Sequence, residues 1–427
     1  MRSNPDRVTP TPTGRASLAI DNLRATVIVM VLAFHSVLAY LNFLPPHALA
    51  FDQPPYLWRS FPIVDVQRWM GFDLFCAWLD VFLMSFFLML SGLFVWPSLN
   101  RKGAELFVAD RLLRIGLPFL VVSFLVMPAA HYPTYLQTAA EPGLAAYWRH
   151  WTALPLWPSG PMWFLWLLLL WDVVAAGVYP LLAPHRDAVL RLSVLARQHP
   201  ARFLGAMVLL SAIVYVPLAL IFGPSNWFHR GPFSFQLSRP LHYALYFFTG
   251  AAIGACGIER GLLAADGPLA QHWARWLAGA LGSFVLWLAV MSQIAADPID
   301  APIAWQIGAA LSFVVACFAS CFFVFAAAVR IAQFRTRLLD SLKDNAYGMY
   351  LIHYLFIVWL QFAMLAFALP AIVKASVAFA GTLMLSWTAT AALRRIPAVA
   401  QIIGEARRPP APAAPAQGPR EMPSLSD

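Results

Sequence analysis

Charge is what this sequence has least of: Asp, Glu, Lys and Arg together make up 11% of its 427 residues. Soluble globular chains carry about a quarter. A chain that is 60% hydrophobic, with a mean hydropathy of +0.67, has more hydrocarbon than one water-soluble core can bury. Lipid is the solvent that remains. Cysteine is also sparse. The four, Cys76, Cys256, Cys317 and Cys321, lie in or at the ends of apolar runs, with no CxxC or Cys/His ligand spacing. That argues against a disulfide framework and a zinc site and for small buried hydrophobes. Also missing are a soluble domain, an internal repeat and a small-residue cleavage site after the first apolar run. The first helix is therefore expected to be retained, and a transporter built from repeated halves is disfavoured. There is no continuous basic face either. The net charge of +9 falls in short clusters between apolar runs, which excludes nucleic acid as a partner.

What is present is a series of apolar runs long enough to cross a bilayer, for which about 20 residues suffice. They fall at 18–43, 71–96, 112–131, 161–183, 203–223, 240–256, 273–295, 303–329, 346–368 and 371–393, the sixth being short. With the N-terminus inside, 23 of the 29 Lys and Arg fall on cytoplasmic segments. The outer loops keep six: Arg59, Arg68, Arg149, Arg230, Arg239 and Lys374. An odd number of spans would spoil this alternation. The expected fold is all-α, a polytopic membrane protein of about ten transmembrane helices with both ends in the cytoplasm. Residues 1–17 form an N-terminal tail, 18–395 the transmembrane domain and 396–427 a Pro/Ala-rich tail. The longer outer loops, about 44–70, 132–160 and 224–239, are rich in Trp, Tyr and Pro. Such residues serve an interfacial belt or stack on sugar rings, and composition does not decide between these.

Ionisable groups inside membrane helices are functional candidates. Arg24 and His35 are eleven residues apart, so they share one helix face about 16 Å apart along the axis. A cation at the cytoplasmic mouth and an imidazole deeper in suit an anionic ligand reaching up from the cytosol. The plainer alternative is a snorkelling topology arginine and a histidine bonded to a neighbouring carbonyl.

Six segments then follow in order: Asp21-Asn22-Leu23-Arg24 with His35; Ser85-Phe86-Phe87-Leu88-Met89-Leu90-Ser91-Gly92; Arg111-Leu112-Leu113-Arg114-Ile115 with Pro118; Trp163-Phe164-Leu165; Phe247-Phe248-Thr249-Gly250; and Asn345 through His353. Their order and spacing resemble membrane acyltransferase family 3, over about residues 18–395. That family often has a polar residue near Leu83 and a histidine near Pro161, which this chain lacks. The segment Ile115-Gly116-Leu117-Pro118 is most similar to the branch that succinylates osmoregulated periplasmic glucans.

The resemblance implies an inner-membrane enzyme. It would move an acyl group, acetyl or succinyl, from cytosolic acyl-CoA to a hydroxyl of an extracytoplasmic glycan or glycolipid. No permanently bound cofactor and no metal are expected. Arg24, Arg111 and Arg114 would hold CoA phosphates at the inner ends of helices one and three. His35 would act as general base or form an acyl-histidine. His353 and Tyr350, on one side of helix nine, would orient His35 or hold the carbonyl oxygen. Asp80, or Asp73, would orient an imidazole. Trp163 and Tyr350 would contact substrate, and Arg230 or Arg239 would bind a succinyl carboxylate or an anionic glycan. Ser91-Gly92 would permit close helix packing. A glycan or lipid transporter or flippase, and a non-catalytic scaffold, are the rival classes.

Overall fold

The computed structural model describes residues 14–185, 191, 198–259, 261–295 and 301–403. Most of both expected tails, with Arg2, Arg7, Arg186, Arg197, Arg260, Arg407, Arg408 and Arg420, lies outside the described residues. Among them, nine helices are long and apolar enough to cross a membrane.

Helix α1 (Arg15–Val37) is central and packs against four others. Its free N-terminal amides are capped by the Glu259 carboxylate, which accepts from Ser17 N at 2.6 Å. Buried Asn22 donates to the carbonyls of Ala332 and Phe334, both at 2.8 Å, tying α1 to the chain 310 residues on. After α2 (Met70–Gly92) and the short α3 (Val95–Lys102) comes α4, a continuous run over Ala104–Leu136. It begins eight residues before the expected start because its charges are paired: Lys102 with Asp110 at 2.9 Å and Arg111 with Asp172 at 3.2 Å. Two π-turns, Leu112–Gly116 and Val122–Val126, interrupt it around Pro118 and ahead of Pro128. They absorb the backbone bonds that proline cannot make.

Outside the membrane core, α5 (Leu144–Ala153) closes an aromatic cluster of Phe51, Trp58, Tyr135, Tyr147 and Trp151. Helices α6 (Trp163–Leu182) and α7 (Pro200–Phe222) follow. The chain then forms a two-stranded antiparallel hairpin, β1 (Trp227–Arg230) with β2 (Phe233–Gln236). Among the described residues it is the only sheet in an otherwise helical chain. Gly231, at φ +56°, followed by Pro232, supplies the tight turn.

Helix α8 (Pro240–Ala255) is the short sixth span, 16 residues or about 24 Å long. It lies backbone against backbone on α2. A Cβ on Gly250 would sit 2.0 Å from the Met89 carbonyl oxygen, and one on Gly92 would sit 2.1 Å from that of Phe247. The expected packing role of Gly92 is thus met, with Gly250 and Gly254 as its counterparts. Helices α9 (Trp273–Ile294) and α10 (Ile303–Ile331) pair with each other, and α10 is the most buried span. Helix α11 (Arg337–Met364) starts nine residues before the expected span, where the Thr336 hydroxyl accepts from Leu339 N. Helix α12 (Ala371–Leu393) packs along it, and a short α13 (Pro397–Ile403) follows. Lys374 at the start of α12 is fully buried in an ion pair with Asp65, 2.6 Å, which locks the first outer loop onto the last span.

Candidate active site

His35 lies on the C-terminal half of α1, two residues before its end. Its Nδ1 is 2.9 Å from the Val31 carbonyl oxygen, one turn back. A carbonyl only accepts, so Nδ1 carries the proton and Nε2 keeps its lone pair. Gln361 on α11 donates to the carbonyls of both His35 and Ser36, at 2.9 and 3.2 Å. These bonds satisfy backbone acceptors at the helix end and fix where the imidazole stands.

Helix α11 brings the second imidazole. His353 is fully buried, and its ring centroid is 5.1 Å from that of His35. Its Nδ1 donates to the Tyr350 carbonyl at 2.6 Å, leaving Nε2 buried without a partner. His353 therefore adjoins His35, but the tautomer of His35 is set by Val31. The Tyr350 hydroxyl donates to the Pro161 carbonyl at 2.6 Å, where it holds the turn Gly160–Met162 against α11. Tyr354 stands edge-on to His35 at 5.5 Å.

Sequence reasoning missed a third histidine. His131 on α4 is fully buried, and its Nδ1 donates to the Met127 carbonyl at 3.0 Å. Its Nε2 is buried without a partner, and its ring is 5.5 Å from that of Tyr354. The signal was there: an ionisable side chain at the outer end of a span. His242 makes a contrast, because Ser211 Oγ at 2.9 Å and Cys317 Sγ at 3.5 Å meet both its nitrogens. It is a satisfied core histidine.

The three arginines expected to hold phosphates differ. Arg24 is the least committed: its side chain is 52% exposed, Asp21 is 3.9 Å away, and its guanidinium lies over the Phe94 ring. Arg111 neutralises Asp172, which is buried on α6. Arg114 pairs with Asp110 at 2.9 Å, and its carbonyl accepts from the Tyr347 hydroxyl at 2.5 Å. Among the described residues, no hydrogen bond or ion pair joins Arg24 to either.

Two residues of the outer side are tied to each other. Asp80 makes no hydrogen bond to an imidazole among the described residues. Its carboxylate receives Arg239, with Nη2 2.7 Å from Oδ2 and Nη1 3.3 Å from Oδ1. Asp73 is used likewise, accepting from the amides of Asn42 and Phe43 where the chain leaves α1. Arg239 is buried beneath this ion pair and over Phe313, and Asp80 is the anion it meets in the structure. Burial required a countercharge, and Asp80 supplied it. Arg230 is exposed beside the hairpin turn. Trp163 meets Trp227 edge-on at 5.2 Å and Tyr243 at 6.2 Å, so it forms part of an aromatic outer wall.

The rings of His35, His131 and His353 gather around Tyr354 among long apolar helices, the candidate site of a polytopic membrane protein. The family is shown by comparison. Residues 17–391 match the family model described as an acyltransferase domain, and the chain belongs to this membrane acyltransferase family 3. It is accordingly a membrane enzyme that transfers acyl groups other than aminoacyl groups. No curated protein and no solved structure matches it.

Proposed function

We propose that the protein transfers an acetyl or succinyl group from cytosolic acyl-CoA to a hydroxyl of an extracytoplasmic glycan or glycolipid, in the inner membrane, with His35 as general base. The observation that carries this reading is the 2.9 Å contact of His35 Nδ1 with the Val31 carbonyl oxygen. The Val31 carbonyl holds the proton on Nδ1, so Nε2 is an unprotonated acceptor in a half-buried site. The acceptor hydroxyl gives its proton to Nε2 as its oxygen attacks the thioester carbon. The C–S bond breaks, and the imidazolium returns the proton to the departing CoA sulfur. Such general-base assistance contributes about 10²–10⁴-fold. Tyr354, beside both His35 and His131, walls the site against water.

Arg24, half-exposed at the inner end of the same helix, meets the CoA phosphates. Arg111 and Arg114 already have carboxylate partners and act by shaping the inner mouth. Trp163 and Trp227 offer aromatic faces to an acceptor sugar on the outer side.

The test compares glycan and lipid mass spectra of cells carrying wild type, a deletion, His35→Ala or His35→Asn. The deletion should lose an acyl mass, and both variants should match it while still inserting in the membrane. Near-wild-type acylation in either variant would sink the assignment of His35. Transport without any acylated product would favour the flippase reading instead.

A further inference from the structure

The outer wall of the site holds a cation with no countercharge among the described residues. Arg59 ends the single turn Leu57–Arg59. Its Nε donates to the Tyr56 carbonyl at 3.0 Å and its Nη2 to that of Pro55 at 3.4 Å, which fixes the guanidinium. Nη1 is buried and has no partner among the described residues. Burial pulls the Arg59 pKa below the usual arginine value, and the group opposing that pull is Tyr56, not a carboxylate. His229 on β1 also has a buried Nε2 without a partner. Burial and the Arg59 charge hold its pKa down to about 4, so it is a neutral imidazole at pH 7.

Arg59 sits next to the reaction centre. The Tyr354 hydroxyl lies 3.5 Å from the Arg59 carbonyl, and the Tyr354 ring stands 5.5 Å from that of His35. His229 stacks on Trp227, whose ring meets Trp163. A part-buried guanidinium with one nitrogen left unpaired costs free energy, and an arriving anion offsets that cost through charge-assisted hydrogen bonds. A neutral imidazole can carry its proton on Nε2 and add a donor.

We infer that Arg59 and His229 form an anion subsite on the outer side of His35, taking a carboxylate or phosphate carried by a substrate. The inference rests on the reading of His35 as the acyl-transfer centre. It gives Arg59 the role expected of Arg230 or Arg239. The anion comes either from the far end of the acyl chain or from an acidic acceptor.

Calorimetric titration of the full-length protein in lipid nanodiscs separates these sources. The ligands are succinyl-CoA and butyryl-CoA, then glucuronate and glucose, against wild type, Arg59→Gln, Arg59→Lys and His229→Ala. If the acyl chain carries the anion, wild type binds succinyl-CoA about tenfold tighter than butyryl-CoA. Arg59→Gln removes that preference and Arg59→Lys restores part of it, while butyryl-CoA affinity stays constant and so reports an intact fold. If the acceptor carries it, the two thioesters bind alike and glucuronate outcompetes glucose, again only with Arg59 present. The inference is overturned if wild type shows no preference for the charged member of either pair, or if the preference survives both Arg59→Gln and His229→Ala. Should glucuronate binding depend on Arg59 while neither thioester binds, the donor reading fails and the subsite stands.

Discussion

At the scale of residues, what a charged side chain is paired with decides what it can do. Arg24 and Arg111 look alike in sequence, each an arginine at the inner end of a span, yet only Arg111 has a buried carboxylate opposite. Removing one partner of a buried pair costs about 3–5 kcal/mol. Arg111→Ala should therefore lower the yield of folded protein, and the double variant Arg111→Ala/Asp172→Ala should recover much of it. Arg24→Ala should leave folding alone and weaken acyl-CoA binding in calorimetry, with Arg24→Lys a partial rescue because it keeps charge but loses the fork. That affinity should fall as salt rises. Equal CoA affinity in wild type and Arg24→Ala would reduce Arg24 to a topology signal. The positions of Arg24, His35 and His353 were legible in the sequence because local spacing sets the face of a helix. The partners of Asp80 and Arg239 were not, since 159 residues separate them and only packing brings them together. His131 escaped because its importance comes from Tyr354 on a distant helix.

At the scale of elements, hydropathy located the spans, but charges hid their ends. The first two turns of α4 and α11 hold Glu105, Asp110, Asp340 and Lys343, so a hydropathy threshold starts each helix late. The hairpin was missed because eight strand residues in a short loop give a weak periodic signal beside the apolar runs. The contact of α2 with α8 was half legible: Gly92 was recognised as a packing residue, and Gly250 only as a motif letter. The Cβ position at Gly250, 2.0 Å from the Met89 carbonyl oxygen, leaves no room for a side chain. Gly250→Leu should push the helices apart and cost at least the about 1–3 kcal/mol of an overpacked core. Gly177→Leu, on α6 with open space around its Cβ position, serves as the control. Thermal inactivation in detergent measures both. Equal loss in the two variants would mean that the Gly250 contact is not what holds these helices together.

At the scale of the whole molecule, the two ends of the bundle differ in chemistry. One end gathers Arg24 over Phe94, the Lys102–Asp110–Arg114 network, and the Arg394 bond to Asn345. The other gathers α5, the hairpin, Arg59 and the Asp65–Lys374 pair. The segments at the first end are those the charge alternation assigns to the cytosol, and those at the second are the long aromatic loops. Cation density decides which end is inside, because basic residues are retained on the cytoplasmic face. Cysteine accessibility tests this directly. Cys76, Cys317 and Cys321 are buried, so replacing Cys256 gives a background in which a new surface cysteine is the reactive one. In intact cells an impermeant maleimide should label Ser225→Cys, ahead of the hairpin, and spare Glu105→Cys on the first turn of α4. Permeabilisation should expose the second site without changing the first. If Glu105→Cys reacts in intact cells, the bundle is inverted. The donor would then have to arrive from outside, which cytosolic acyl-CoA does not do, and Arg24 would face the wrong compartment for its proposed ligand.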